Sequence, residues 1–507
     1  MNKGIVATGS KEATQAAADI LREGGNAIDA AISAVFTSMT SEFALTGAAG
    51  GGAMMIKTPN SMPILYDFFV DTPTYSLKKE IDFFRAKVDF GNSTQYFHIG
   101  KGSVAIPGNL AGLFTAHQKF GKLPLSVILE PGIHLSRSGY RLNKEQAYIF
   151  KILEPIFCHS LEARNLLGKD NRPLKEGELF VNTDFSNFLE TVAKDGINFF
   201  YQGELAELIS ATLNDGGLID IKSLKKYKVI PRKPVSTSFK GTRVYSNPPP
   251  SAGGSLIIFL LRLLENNGQN LFSLSSLLSA MSCTNTARSE ICSDPNDESQ
   301  YFRLLEDEIF TQYLDGFSSG ESTANETGKL PDRGCTTQVS VLDKGGNCAS
   351  VTTSNGEGSG YILPGTGIML NNMLGEEDLN PQGFHNWTHS RRLATMMSPS
   401  IITKDGQPMM IIGSGGSNRI RSAIVQVLIN YICKDEPLAE SIENPRIHLE
   451  GNKLYYEPGI DISISDHFDQ ISLHPFDKKN LFFGGVNAVT LTDGASDSRR
   501  GGSFEIV

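Results

Sequence analysis

Residues 333 to 360 read RGCTTQVSVLDKGGNCASVTTSNGEGSG, which sets a cysteine and two threonines directly before an alternating segment in the interior of a 507-residue chain. TQVSVLD and CASVTTS alternate as half-buried strands do, and KGGN between them is turn chemistry, so residues 337 to 354 are predicted to form a β-hairpin. Upstream, residues 315 to 334 read DGFSSGESTANETGKLPDRG, rich in Gly, Ser, Thr, Asn and Asp and nearly free of large apolar groups. That composition predicts a mobile tail running into the first strand. A threonine hydroxyl is a weak nucleophile unless a base adjoins it, and an N-terminal threonine carries a base in its own α-amine. The amine exists only after a cut. Attack of the Thr336 hydroxyl on the Cys335 carbonyl, an N-to-O acyl shift, gives an ester that water hydrolyses, leaving Thr336 as a new N-terminus. Threonine is also favoured at strand starts for packing alone, so residue type by itself points first to structure.

Outward from this junction, the pattern is mixed. Ser10 is predicted to cap an alanine-rich helix reaching Arg22, with Gly24 and Gly25 ending it before a second helix from Asn26 or Ala27. LTGAAGGGAMMIK crowds glycine and alanine between residues 47 and 52 and leads into a strand at Ala53 to Lys57. Residues 108 to 230 read mostly as helix, in GNLAGLFTAHQKFG, PLSVILEPGIHLSRSG and FSNFLETVAKDG, each closed by a glycine. After the loop SNPPPSAGGS, a long apolar helix is predicted at Leu256 to Leu264.

Composition excludes several classes. A formal net charge of −9, without a Lys/Arg cluster that could track phosphates, argues against a nucleic-acid partner. The opening MNKGIVATGSKEATQAAADIL lacks a long apolar run and no later stretch approaches a membrane span, so a cytoplasmic protein without a membrane partner is expected. Cys158, Cys283, Cys292, Cys335, Cys348 and Cys433 are scattered without metal-ligand spacing, which predicts reduced thiols, no disulfide framework and no metal site.

Separated motifs then follow one another in a recognisable order: ATQAAADILREGGNAIDAAISA, GAAGGGAMM, GSVAIPGNLAGL, CTTQVSVLDKGGNCASVTTSN, GTGIMLNN, MMSPSII, IIGSGGSNRI, ENPRIH and GASDSRRGG. In these the chain resembles, nearly end to end, the γ-glutamyltransferase (γ-glutamyltranspeptidase) family of N-terminal-nucleophile hydrolases. The resemblance implies an α+β fold, a four-layer αββα sandwich. It implies one precursor cut into a large subunit, residues 1 to 335 with the 315 to 335 tail, and a small subunit, 336 to 507, which together form one αββα unit. Thr336 matches the family's nucleophile and Ser354 the second hydroxyl that hydrogen-bonds it. Asn355 takes the place of the substrate-contacting asparagine. Gly416 and Ser417 match the oxyanion-hole pair, in a GSGGSN turn whose glycines let N–H groups converge on a developing negative charge. Glu376 or Glu377 in NNMLGEEDL falls where the family places the acid for the substrate's ammonium, and Thr395 of RRLATMMSP where it places a contact for the carboxylate.

The activity so implied is a self-processing amidohydrolase and acyltransferase. It would act on γ-glutamyl amides such as glutathione, pass the acyl group to water or an amine acceptor, and need no metal or organic cofactor. Three departures stand against the family pattern. The carboxylate-clamping arginine expected a few residues after YDFFVDTP is missing, since TYSLKKEIDF offers Lys78 and Lys79 and no arginine before Arg85, and lysine lacks the planar fork of a guanidinium. Gln338 stands where histidine is common, and Met396 where a second serine is. The missing arginine favours one alternative, a cephalosporin-acylase-like amidase of different acyl specificity; a more distant alternative is an uncut, non-enzymatic homologue that binds a small ligand or a protein partner.

Overall fold

The computed structural model describes residues 3–74, 80–89, 94–170, 172–266, 273–294, 297–319, 335–380, 382–462 and 471–507. The hairpin forms as read: strand Thr337–Asp343 pairs antiparallel with Cys348–Ser354, from Thr337 opposite Thr353 to Leu342 opposite Cys348. It lies inside a seven-stranded sheet ordered Ile230–Arg232, Ile64–Phe68, Gly51–Lys57, Cys348–Ser354, Thr337–Asp343, Gly4–Thr8, Ser503–Ile506. Strands from before and after residue 336 therefore interleave. A second sheet of six strands runs Val235–Phe239, Thr242–Ser246, Ser400–Lys404, Gln407–Gly415, Gly485–Thr490, Gly494–Ser496.

The layers follow from strand alternation, because successive side chains leave opposite faces. Val6, Met54, Val339, Val341, Ala349 and Val351 face helices Lys11–Arg22, Ala27–Ser41, Asn109–Phe120 and Leu125–Ser138. Their neighbours Ile5, Ala53, Met55, Leu342 and Cys348 face the other way and meet Ile401, Ile411 and Val489 of the second sheet. The far side of that sheet, through Val244, Ile402, Met410 and Ile412, packs on Ala252–Asn266 and Arg419–Leu428. Helix, sheet, sheet and helix make the expected αββα sandwich. Among the described residues no helix is long and apolar enough to cross a membrane.

Local signals set the first helices. Ser10 accepts from the Ala13 N–H, and Asn26 with Asp29 forms a capping box at the start of Ala27–Ser41. The reading of residues 315 to 335 as a tail is corrected at its start: a helix spans Asp307–Ser319. Phe310 and Phe317 are buried and Leu314 half-buried against the second core, so one apolar helical face outweighs the polar composition. Of the rest of that reading, residues 320–334 lie outside the described residues, and Cys335 is half-buried against a core cluster.

Near Thr336 the layer between the sheets turns polar, which explains Gln338. Its Nε2 donates to Ser350 Oγ at 2.9 Å and Ser340 Oγ at 3.1 Å, its Oε1 accepts from Thr352 Oγ1 at 2.6 Å, and its carbonyl accepts from Asn487 Nδ2 at 2.8 Å. Ser350 and Ser340 in turn donate to the Ile412 and Asn487 carbonyls of the second sheet. Gln338 thus stitches the sheets together, and a Cβ at Gly413 would sit 2.2 Å from its Oε1.

Candidate active site

Thr336 immediately precedes its strand, is 6% exposed, and in the uncut chain follows Cys335 without a break. Its carbonyl accepts from Arg500 Nη1 at 3.2 Å, and a Cβ at Gly415 would come within 2.2 Å of that oxygen, so glycine is required there. Ser354 Oγ donates to the Cys335 carbonyl and accepts from the Gly356 N–H at 3.0 Å. The second hydroxyl therefore rests on the carbonyl just before Thr336, not on the Thr336 hydroxyl as the resemblance implied. Thr337, the other threonine of the pair, donates at 2.5 Å to Glu42, which also accepts from Ser38 Oγ at 2.9 Å. Burial pushes the Glu42 carboxyl up, although these hydroxyls work against the shift. Burial likewise holds the Cys335 thiol well above its usual range, so it stays protonated and is a poor nucleophile beside Thr336.

Thr336 and Ser354 open on a pocket that also takes Cys335, Glu376, Thr395 and Ser417 of the sequence-predicted residues. Asn355 and Glu377 do not line it. Strand alternation turns Asn355 away from the face that Ser354 occupies. Its Nδ2 donates to the Met369 carbonyl at 3.1 Å, and its Cγ lies 3.2 Å from the place of a Cβ on Gly47. In NNMLGEEDL the tight turn Glu377–Leu379 presents Asp378 instead of Glu377, and Asp378 accepts from Ser417 Oγ at 2.6 Å and Asn418 Nδ2 at 3.4 Å. Gly416, at φ +122°, and Ser417, at φ +48°, turn the chain from strand Gln407–Gly415 into helix Arg419–Leu428. Their N–H groups take no backbone acceptor among the described residues.

Thr395 Oγ1 accepts from the Met397 N–H at 3.2 Å, while its carbonyl accepts from Ala252 and Ser251. Met396 and Met397 make apolar wall. Arg85 is exposed with its guanidinium 4.0 Å over the Tyr96 ring and takes no part in the pocket; Lys78 and Lys79 lie outside the described residues. The pocket instead holds Arg288 and Tyr301, from helices Leu274–Ile291 and Glu298–Leu304. Nothing local in the sequence marked these two, because no motif or spacing connects them to residue 336, whereas Asp378 lies in the acidic segment that was singled out, one residue beyond the acids named.

Over residues 13–507 the sequence matches the family described as Gamma-glutamyltranspeptidase. The chain belongs to that family. It is 30% identical over 472 residues to a glutathione hydrolase proenzyme of Escherichia coli, covering 88% of this chain and 81% of that one. It is 27% identical over 514 residues to the acylase ACY 1 proenzyme of a Pseudomonas species, at 96% and 90% coverage. The cephalosporin acylase of Bacillus halodurans shares the fold at a TM-score of 0.83 and 21% identity, over 99% of this chain and 96% of that chain.

In this member of the gamma-glutamyltranspeptidase family, the closing GASDSRRGG motif reaches Thr336. Arg446 pairs with Asp497 at 2.7 Å, Arg499 pairs with Asp497 at 3.1 Å and with Glu457, and all four side chains are at most 2% exposed. Burial pushes the Asp497 carboxyl up, but Arg446 and Arg499 outweigh it and hold it below its ordinary value. Arg500, next in the chain, reaches from this cluster to the Thr336 carbonyl.

Ser354→Ala is expected to fold and to cut itself about 100-fold more slowly, the usual cost of one lost donor to a developing oxyanion. Time courses of fragment appearance on denaturing gels measure this; a wild-type rate would remove Ser354 from the step.

Proposed function

We propose that the protein cuts itself between Cys335 and Thr336 and then cleaves γ-glutamyl amide bonds, passing the acyl group to water or an amine. The observation that carries this is the placement of Thr336 in one pocket with the carboxylates of Glu376 and Asp378, with Ser354 Oγ on the Cys335 carbonyl. In the first reaction Thr336 Oγ1 attacks the Cys335 carbonyl carbon, Ser354 steadies the oxyanion, the C–N bond to Thr336 breaks as its nitrogen takes the hydroxyl proton, and water hydrolyses the ester to the Cys335 carboxylate and the free Thr336 hydroxyl. The new α-amine then serves as base for the same oxygen. In turnover that oxygen attacks the substrate amide, the Gly416 and Ser417 N–H groups receive the oxyanion, and the departing amine takes the proton. Water or a second amine resolves the acyl-enzyme, and no step requires a metal or organic cofactor.

Residues 1 to 335 and 336 to 507 would then be large and small subunits of one body, since both supply neighbouring strands of the same sheet. The acids suit an ammonium, which a γ-glutamyl group carries and a glutaryl group lacks. Met396, Met397 and Phe69 in the wall favour a second reading, an amidase for a bulkier acyl group. Comparing kcat/KM for L-γ-glutamyl-p-nitroanilide and glutaryl-p-nitroanilide separates them. Preference of about 100-fold for the γ-glutamyl substrate is expected, near the lower end of what truncating a buried charged partner costs. Preference for glutaryl would establish the second reading, and a chain that stays uncut on long incubation would remove both.

A further inference from the structure

We infer that Arg288 holds the α-carboxylate of the acyl group, from a helix far in sequence from the segment where this family's arginine is expected. The inference rests on the γ-glutamyl reading of the pocket. Among the described residues lining the pocket, Arg288 is the only lysine or arginine. The neighbouring arginines are engaged elsewhere: Arg500 on the Thr336 and Leu481 carbonyls, Arg421 on Glu450 at 2.9 Å, and Arg392 on Asp67 and Asp71, each at 2.6 Å. Arg85, the first arginine after the expected place, stacks on Tyr96 at the surface.

The surroundings suit a carboxylate partner. Tyr301, 1% exposed, lines the pocket with Arg288. Burial works against the charge of Arg288, but Tyr301, Glu450 and Asp378 outweigh it and keep the group cationic. Glu450 is itself occupied by Arg421 and His448, at 2.9 and 3.2 Å. A guanidinium offers two parallel donors to a carboxylate, which an ammonium cannot. One arginine and the two carboxylates Glu376 and Asp378 in one pocket complement a zwitterionic α-amino acid head, a cation site and an anion site on the same small group.

The test uses the full-length protein with three p-nitroanilides: L-γ-glutamyl, 4-aminobutyryl, which lacks only the α-carboxylate, and glutaryl, which lacks only the α-ammonium. In Arg288→Met the preference for γ-glutamyl over 4-aminobutyryl is expected to fall about 100-fold, through KM, as for removal of one partner of a desolvated charge pair. Arg288→Lys is expected to fall between Met and wild type, and cutting at Thr336, read by mass spectrometry, to proceed in both. An unchanged preference in Arg288→Met, or equal loss on both ammonium-bearing substrates, overturns the assignment. If wild type prefers glutaryl, the γ-glutamyl reading fails while a KM rise for glutaryl in Arg288→Met still upholds the carboxylate clamp. If wild type turns over neither carboxylate-bearing substrate, both fall.

Discussion

Thr336→Ala is expected to persist as a single 55.1 kDa species under denaturing conditions, whereas wild type separates into fragments ending at Cys335 and beginning at Thr336. Without the hydroxyl neither the acyl shift nor the attack on substrate has a nucleophile. Activity toward any acyl anilide is expected to drop by about 10⁴-fold or more, the scale seen when a covalent nucleophile is removed. Cys335→Ser provides the contrast: its half-buried, protonated thiol takes no part in the proposed step, so that variant is expected to cut at the same bond. Fragmentation of Thr336→Ala at this junction, or activity within tenfold of wild type, would dismiss the nucleophile.

Asp497→Ala carries the largest expected effect on stability. It strips a counter-ion from both Arg446 and Arg499 and an acceptor, at 3.0 Å, from the Val486 N–H, in a cluster almost wholly shut off from water. Removing one member of a buried ion network leaves uncompensated charge and costs roughly 3–5 kcal/mol. Urea denaturation of the Thr336→Ala background, where cutting does not complicate the transition, reads that loss directly. Asp497→Asn keeps an oxygen for Val486 but not the charge, and is expected to lie between. A midpoint for Asp497→Ala matching the parent would show that the arginines find water or other acceptors. In the cleavable chain the same change is expected to slow cutting, since Arg500 loses the neighbour that directs it to the Thr336 carbonyl.

Both expectations depend on residues of very different legibility. Thr336 stood out in the sequence because it stands directly before a hairpin and after a polar stretch, and Ser354 because it matches the family's second hydroxyl; once Val339 and Val341 are buried on the helix side, the faces of their hairpin neighbours are set. The same rule shows why Asn355 leaves the pocket that Ser354 lines. The cap at Ser10 was equally legible, being a hydrogen bond made within three residues. Residues 315 to 319 were misread because composition was weighed over spacing, and the spacing of Phe310, Leu314 and Phe317 is helical.

By itself, then, the sequence determined the period of the central hairpin and of the first helices, the position of Thr336 at a strand start, and, through motifs in order, the family. Only the tertiary structure decided which charges surround Thr336. Arg288 and Asp378 meet Thr336 in one pocket, and Glu42 reaches its neighbour Thr337, only because the strands and helices carrying them are layered together. Hydrophobic periodicity reports which face of an element is buried, a property of nearest neighbours along the chain. It carries no information on which polar groups from distant elements arrive at the same point, since that depends on sheet order and on how the layers pack.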